Sequence, residues 1–204
     1  MSKLLLGIDI GTSGCKVAVF DFDGRVMAQS TKSYPVYYPA PGYAEQDPYM
    51  WWDAVCEAIK EAVQTGNVDV KSIAGIGVDG QSWSAIPVDK NGEVLHRTPI
   101  WMDSRSSDIC TEVTEKVGFE KIFQISGNSF EPTYSTPKII WFKKNKADVY
   151  RNTFKFLQSN SYIIFRLTGI MSQDMSQGYG LHCFNMKTGK WEDEFCDELG
   201  IERE

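Results

Sequence analysis

The sequence predicts an α/β domain built on a mixed sheet, and three observations predict it. Two tight turns near the amino terminus, Gly11-Thr12-Ser13-Gly14 and Asp21-Phe22-Asp23-Gly24, separate three short strand-like segments. An apolar stripe at helical spacing follows. Behind it the chain returns to a strand pattern and then to further helical stretches. Strands, a helix, and a strand backed by helices is the order of a layered α/β fold.

The first strand is Leu4-Leu5-Leu6-Gly7-Ile8-Asp9-Ile10, a short apolar run ended by glycine, the pattern of a buried strand. The valine-rich stretch 15–20 is the second strand and 25–34 the third. Two tight turns in succession make these antiparallel neighbours. Residues 34–43, rich in Pro and Tyr, fit neither repeat. Asp47-Pro48 then marks a helix start, with Asp as N-cap and Pro at the first helical position. Trp51, Trp52, Ala54, Val55, Ala58, Ile59, Ala62 and Val63 recur at steps of three and four, and Gly66 stops the run; this is one apolar face. Residues 73–78 return to strand. Segments 84–88 and 94–99 flank Asp89-Lys90-Asn91-Gly92, which predicts a second hairpin. Helices are expected at 105–117, 137–146, 159–168 and 191–199, with a short strand at 170–176. No repeat of 20–50 residues and no low-complexity linker interrupts the chain.

Composition narrows the partners. The 204 residues carry a formal net charge of −6, which argues against nucleic acid or an anionic membrane as main partner, since both demand a basic face. The Lys143-Lys144 pair is a solvated surface feature. No apolar run approaches the roughly 20 residues of a membrane span, and nothing near Met1 has the pattern of a signal peptide. The five cysteines (Cys15, Cys56, Cys110, Cys183, Cys196) are widely and irregularly spaced, and His96 and His182 stand alone. Reduced thiols in a cytoplasmic protein are expected, without a zinc site.

The chemistry concentrates in two places. In Gly7-Ile8-Asp9-Ile10-Gly11-Thr12-Ser13-Gly14-Cys15-Lys16, glycines allow backbone N–H groups to approach an anion, and Thr12 and Ser13 add hydroxyl donors. Lys16 can neutralise phosphate, and Asp9 at a strand end can hold magnesium through water. The string is neither a P-loop nor a dinucleotide fingerprint, and an ordinary glycine-rich hairpin with a solvated Asp fits it equally. The second place is Gly80-Gln81-Ser82-Trp83-Ser84 with Trp101-Met102-Asp103-Ser104-Arg105. Trp83 is either a core residue or a platform for the apolar face of a sugar. Asp103 is expected to accept ligand hydroxyls, and Arg105 to pair with it. Glu45 and Asp47 are expected to serve the helix start, and His182 to be structural.

The first string resembles the phosphate motif of the sugar-kinase, actin and heat-shock ATPase superfamily. It is most similar to the GIDxGTSxxK opening of FGGY carbohydrate kinases. Four further stretches match that family in order: Glu45-Gln46-Asp47-Pro48 before Trp51-Trp52, Gly80-Gln81, Trp101-x-Asp103-x-Arg105, and Thr168-Gly169 with Asp174 and Ser176. The resemblance spans nearly the whole of residues 1–204. It implies a ribonuclease-H-like amino-terminal domain that binds sugar, with ATP and magnesium as cofactors. Thr12, Ser13, Gly14 and Lys16 would meet the phosphates, and Gln81, Ser82, Trp83, Asp103 and Tyr134 the sugar. It also implies that the general base and the adenosine pocket lie past Glu204 in a carboxy-terminal domain. Without that domain no phosphorylation is expected, and the surface left bare could drive weak self-association into a homodimer.

Sugar choice rests on Gln81-Ser82-Trp83. Glycerol kinases carry Arg-Glu where Ser82 and Trp83 stand, which argues against glycerol. Xylulokinases carry Gln-Met-His-like strings, so Gln81 fits while Ser82 and Trp83 depart, as Asn160-Ser161-Tyr162 departs from the family's Lys-Asp-Tyr. D-xylulose is the favoured substrate; ribulose, gluconate and other polyols stay open. An actin- or chaperone-like ATPase and a non-catalytic sugar sensor are the rival readings.

Overall fold

Leu4–Ile10 (β1), Gly14–Asp21 (β2) and Val26–Ser33 (β3) form the expected antiparallel meander, pairing Ile8 with Val17 and Val17 with Ser30. The structure is a computed structural model that describes residues 3–201. Two-residue Glu45–Gln46 (β4) leads into Pro48–Thr65 (α1), which crosses to Ile73–Gly80 (β5), laid parallel to β1. The sheet order is β3-β2-β1-β5. A parallel pair needs a long crossover connection, and α1 supplies it.

Capping and burial at α1 follow the sequence closely. The Asp47 carboxylate accepts from the Tyr49 N–H at 3.0 Å, with Pro48 at the first turn, which satisfies an N–H that helix geometry leaves unpaired. Trp51, Val55, Ala58 and Ala62 are buried against Leu6, Ile8, Ile10, Val17 and Val19 of the sheet. Each large apolar side chain so buried contributes on the order of 1.5–3 kcal/mol.

The rest of the chain adds short strands and further helices. In order come Ile86–Val88 (β6), Thr98–Pro99 (β7), Ser107–Val117 (α2), Phe119–Ser126 (α3), Ser135–Asn145 (α4), Ala147–Asn152 (α5), Lys155–Leu157 (β8) and Ser159–Thr168 (α6). Phe184–Asn185 (β9), Lys190–Trp191 (β10) and Asp193–Leu199 (α7) end the described chain. Tyr162 and Ile163 of α6 join the α1–sheet core, whereas Ile109, Ile122, Phe142, Phe195 and Leu199 form a separate cluster. The five cysteines are free thiols. Among the described residues, no helix is long and apolar enough to cross a membrane.

Three local expectations are corrected. The hairpin at 84–99 forms only at its tip, where Asp89 N–H donates to Glu93 O and Leu95 N–H to Pro87 O. The turn at Asp89 closes, but β6 pairs with β8 and β7 with β4, leaving a single bridge between Val88 and Val94. Pro99 has no N–H to donate, which confines its arm to a short edge pairing, and the apolar β6 gains a buried partner in Leu157. Residues 170–176 are not a strand. Asp174 instead caps a 3₁₀ turn, accepting from the Gln177 N–H and the Ser176 hydroxyl, an instance of a side chain outcompeting ladder formation. Helices α3 and α5 were not expected; Gly118, at φ +88°, separates α3 from α2.

Candidate functional site

Both chemical strings gather at the carboxyl ends of β1 and β5, where ligands of open α/β sheets collect. Asp9 is exposed at the end of β1, cross-strand from Lys16 on β2 and from Asp79 on β5. Asp79 was missed in the sequence, because only the parallel register sets it opposite Asp9. Two exposed carboxylates on adjacent strands with a lysine beside them form a donor set that suits a hydrated hard cation and its phosphate ligands.

The turn between β1 and β2 is built to stay put. Gly11 N–H donates to Gly14 O at 3.0 Å. Glycine is needed at 14 for close approach: a Cβ there would stand 2.5 Å from the Lys32 carbonyl oxygen. The Gly11 carbonyl accepts from the Tyr34 hydroxyl at 2.7 Å, the Thr12 carbonyl from Gln46 Nε2 at 2.8 Å, and the Thr12 hydroxyl from Trp101 Nε1 at 2.9 Å. The Thr12 hydroxyl is therefore already engaged by Trp101, whereas Ser13 and Lys16 are exposed.

Gln81 joins this turn to the second string. Its N–H donates to Ile10 O at 2.6 Å, and its Nε2 to Gln46 Oε1 at 2.6 Å and Gly11 O at 3.4 Å. Ser159 Oγ donates to the Gln81 carbonyl at 2.7 Å. Two residues on, Trp83 adopts the left-handed backbone (φ +67°), a conformation that costs a non-glycine residue about 1–2 kcal/mol. Its ring meets Tyr134 edge-on at 4.9 Å and Tyr179 at 5.5 Å, and Tyr134 also meets His182 at 5.3 Å. The half-buried Ser82 precedes it. Gln81 Oε1 and Trp83 Nε1 are buried without a protein partner. Buried polar atoms are normally hydrogen-bonded, and these two are exceptions, as Trp51 Nε1 and Ser84 Oγ are elsewhere. Tyr179 carried no recognisable sequence signal.

Asp103 is not part of this aromatic cluster and is not free for its expected role as hydroxyl acceptor. It is 1% exposed, and its oxygens accept from the Ala44 N–H at 2.6 Å and from Arg105 Nε and Nη2 at 2.8–3.0 Å. Arg105 Nη2 reaches Glu45 at 2.7 Å, and the guanidinium stacks on Tyr43 and Trp141. Burial pulls the Arg105 pKa down, but the hydrogen bonds and charges of Asp103 and Glu45 overcome this and raise it. The triad fixes the loop that carries Trp101.

His182 is fully buried. Its Nε2 lies 2.9 Å from Ser129 O, so the proton sits there, and burial lowers the pKa to about 4. It is a neutral structural imidazole, as expected. An unfolded imidazole protonates near 6.5, so between pH 6.5 and 4 the unfolded chain binds more protons and stability falls as pH falls. This group alone should remove about 2 kcal/mol between pH 7.5 and 5. Urea unfolding of His182→Gln at both pH values should show a slope reduced by that amount. An unchanged slope would refute the assignment.

Comparison with known proteins agrees with this geometry. Residues 4–204 match the model of the FGGY family of carbohydrate kinases, N-terminal domain. The chain is 32% identical over 199 residues to a xylulose kinase of Bacillus subtilis, covering 98% of this chain and 40% of that protein. It is 29% identical over 205 residues to a glycerol kinase of Thermococcus onnurineus, covering 98% and 41%. The crystal structure of gluconate kinase from Lactobacillus acidophilus superposes with a TM-score of 0.91 at 31% identity, covering 99% of this chain and 40% of that one. The chain thus spans about 40% of the length of these relatives. Residues 4–204 belong to the FGGY family of carbohydrate kinases, as its N-terminal domain.

Proposed function

We propose that this chain supplies the sugar pocket and the first phosphate turn of an ATP-dependent kinase that phosphorylates a ketose hydroxyl, with D-xylulose the favoured substrate. The observation that carries it is Gln81, whose amide bonds the Gly11 turn and Gln46 while its backbone leads to the Trp83–Tyr134–Tyr179 aromatic cluster, the proposed sugar wall. One residue thus sets the distance between phosphate and sugar, and positioning is where phosphoryl transfer gains most of its rate. Magnesium, which supplies charge neutralisation to the ATP phosphates, would be held by Asp9 through water, and Lys16 and Ser13 would meet phosphate oxygens. The general base and the adenosine pocket are assigned to a carboxy-terminal domain working with this one.

Substrate preference should run to pentuloses over glycerol. Ser82 and Trp83 offer an aromatic wall and a small hydroxyl where a triol would want a charged fork, and such charge-assisted partners are the strong ones. A coupled assay of the full-length kinase across D-xylulose, D-ribulose, gluconate and glycerol should give the highest kcat/KM with a ketopentose. A higher kcat/KM for glycerol would refute this reading.

A further inference from the structure

Lys138 is part of neither chemical string, yet it is 0% exposed. It lies in the first turn of α4 within Thr136-Pro137-Lys138-Ile139-Ile140, an apolar setting where an ammonium is costly. Its Nζ donates to the Trp83 carbonyl at 2.8 Å and to the Thr133 carbonyl. These two carbonyls belong to the loops that present the two aromatic walls of the pocket, Trp83 itself and Tyr134, the neighbour of Thr133. On the other side, the Trp83 N–H is held at 3.0 Å by Gln158 Oε1. The left-handed Trp83 backbone is therefore gripped at both its N–H and its C=O. Unfavoured backbone conformations persist at functional sites when their surroundings over-determine them.

We infer that Lys138 is a positioning residue of the sugar site: its amine pins the Trp83 and Thr133 carbonyls together and so sets the angle between the Trp83 and Tyr134 rings. The inference rests on the proposed sugar pocket for its meaning, but its geometric content is independent of any substrate. Trp83 would otherwise relax toward an ordinary backbone, and the edge-on pairing of Trp83 with Tyr134 and Tyr179 would be lost. Burial also brings the Lys138 pKa down to about 7, opposed by Asp103 and Cys110 and reinforced by Arg105. The grip is therefore weakest where the amine loses its charge.

The test is near-ultraviolet circular dichroism of the chain carrying Lys138→Met, with Trp83→Phe defining the Trp83 contribution, alongside calorimetric titration with D-xylulose. The expected result is a cooperatively folded Lys138→Met chain that has lost the Trp83 contribution and binds D-xylulose at least tenfold more weakly than the parent. A folded variant that keeps both the band and the affinity overturns the inference. If the parent does not bind D-xylulose, the proposed substrate fails and the band alone decides Lys138. If Lys138→Met does not fold, carbonyl-labelled parent decides: the Trp83 and Thr133 carbonyl resonances should shift together across the pH range in which the Lys138 Cε resonance itself is seen to shift, and carbonyls that stay still across that range overturn the inference.

Discussion

Arg105→Met is expected to cost the chain about 3–5 kcal/mol, the usual penalty for stranding buried charge. The Arg105 side chain is 1% exposed and bonds Glu45 at 2.7 Å and Asp103 at 2.8 Å, themselves 8% and 0% exposed. Removing the guanidinium leaves two carboxylates facing each other out of water. It also removes a stacking partner 3.9 Å from the Tyr43 ring, an interaction worth about 0.5–2 kcal/mol. Much of the loss should return in the triple variant Arg105→Met, Asp103→Asn, Glu45→Gln, in which no charge is stranded. Urea unfolding at neutral pH measures both. A loss below about 1 kcal/mol in the single variant, the range of an exposed pair, would show that the triad is hydrated and not a structural pin.

Asp9→Asn should lower kcat of the full-length kinase about a hundredfold while leaving the fold intact. Asp9 is exposed, so its loss should move stability by less than about 0.5 kcal/mol. The role proposed for it is the negative charge it would bring, with Asp79 across the strand, to a magnesium–phosphate site. Groups aimed at charge that develops in the transition state are worth roughly 10²–10³-fold each. The loss should therefore fall on kcat more than on KM. Steady-state kinetics with D-xylulose and ATP reads the split. A rate within about threefold of the parent, under about 0.7 kcal/mol of barrier, would make Asp9 a surface residue without a catalytic part.

The local rules of the chain were legible where one short-range effect dominated. The meander followed from two turns, and α1 from its cap and stripe, down to the Asp47 carboxylate on the Tyr49 N–H. The failures came where a distant partner decided. β6 left its local hairpin for Leu157 on β8, some seventy residues away. Asp103 lost its expected freedom to Arg105 and Ala44. At the candidate site, Asp9 and Lys16 pair across strands, Gln81 bonds the adjoining turn, and Trp83 meets Tyr134. Asp79, Tyr179 and Lys138 were invisible, and so was the bridging role of Gln46, because a parallel register, a ring contact, a buried amine and an amide bridge leave no short-range pattern.

The claim that this domain carries a sugar pocket walled by Trp83 is tested most directly by calorimetric titration of the chain with D-xylulose, run beside Trp83→Ala and with glycerol as the competing ligand. The account predicts saturable one-site binding of D-xylulose, weakened at least tenfold in a Trp83→Ala chain that still melts cooperatively, and weaker binding of glycerol. Equal binding by parent and Trp83→Ala, or glycerol bound more tightly than D-xylulose, would contradict it.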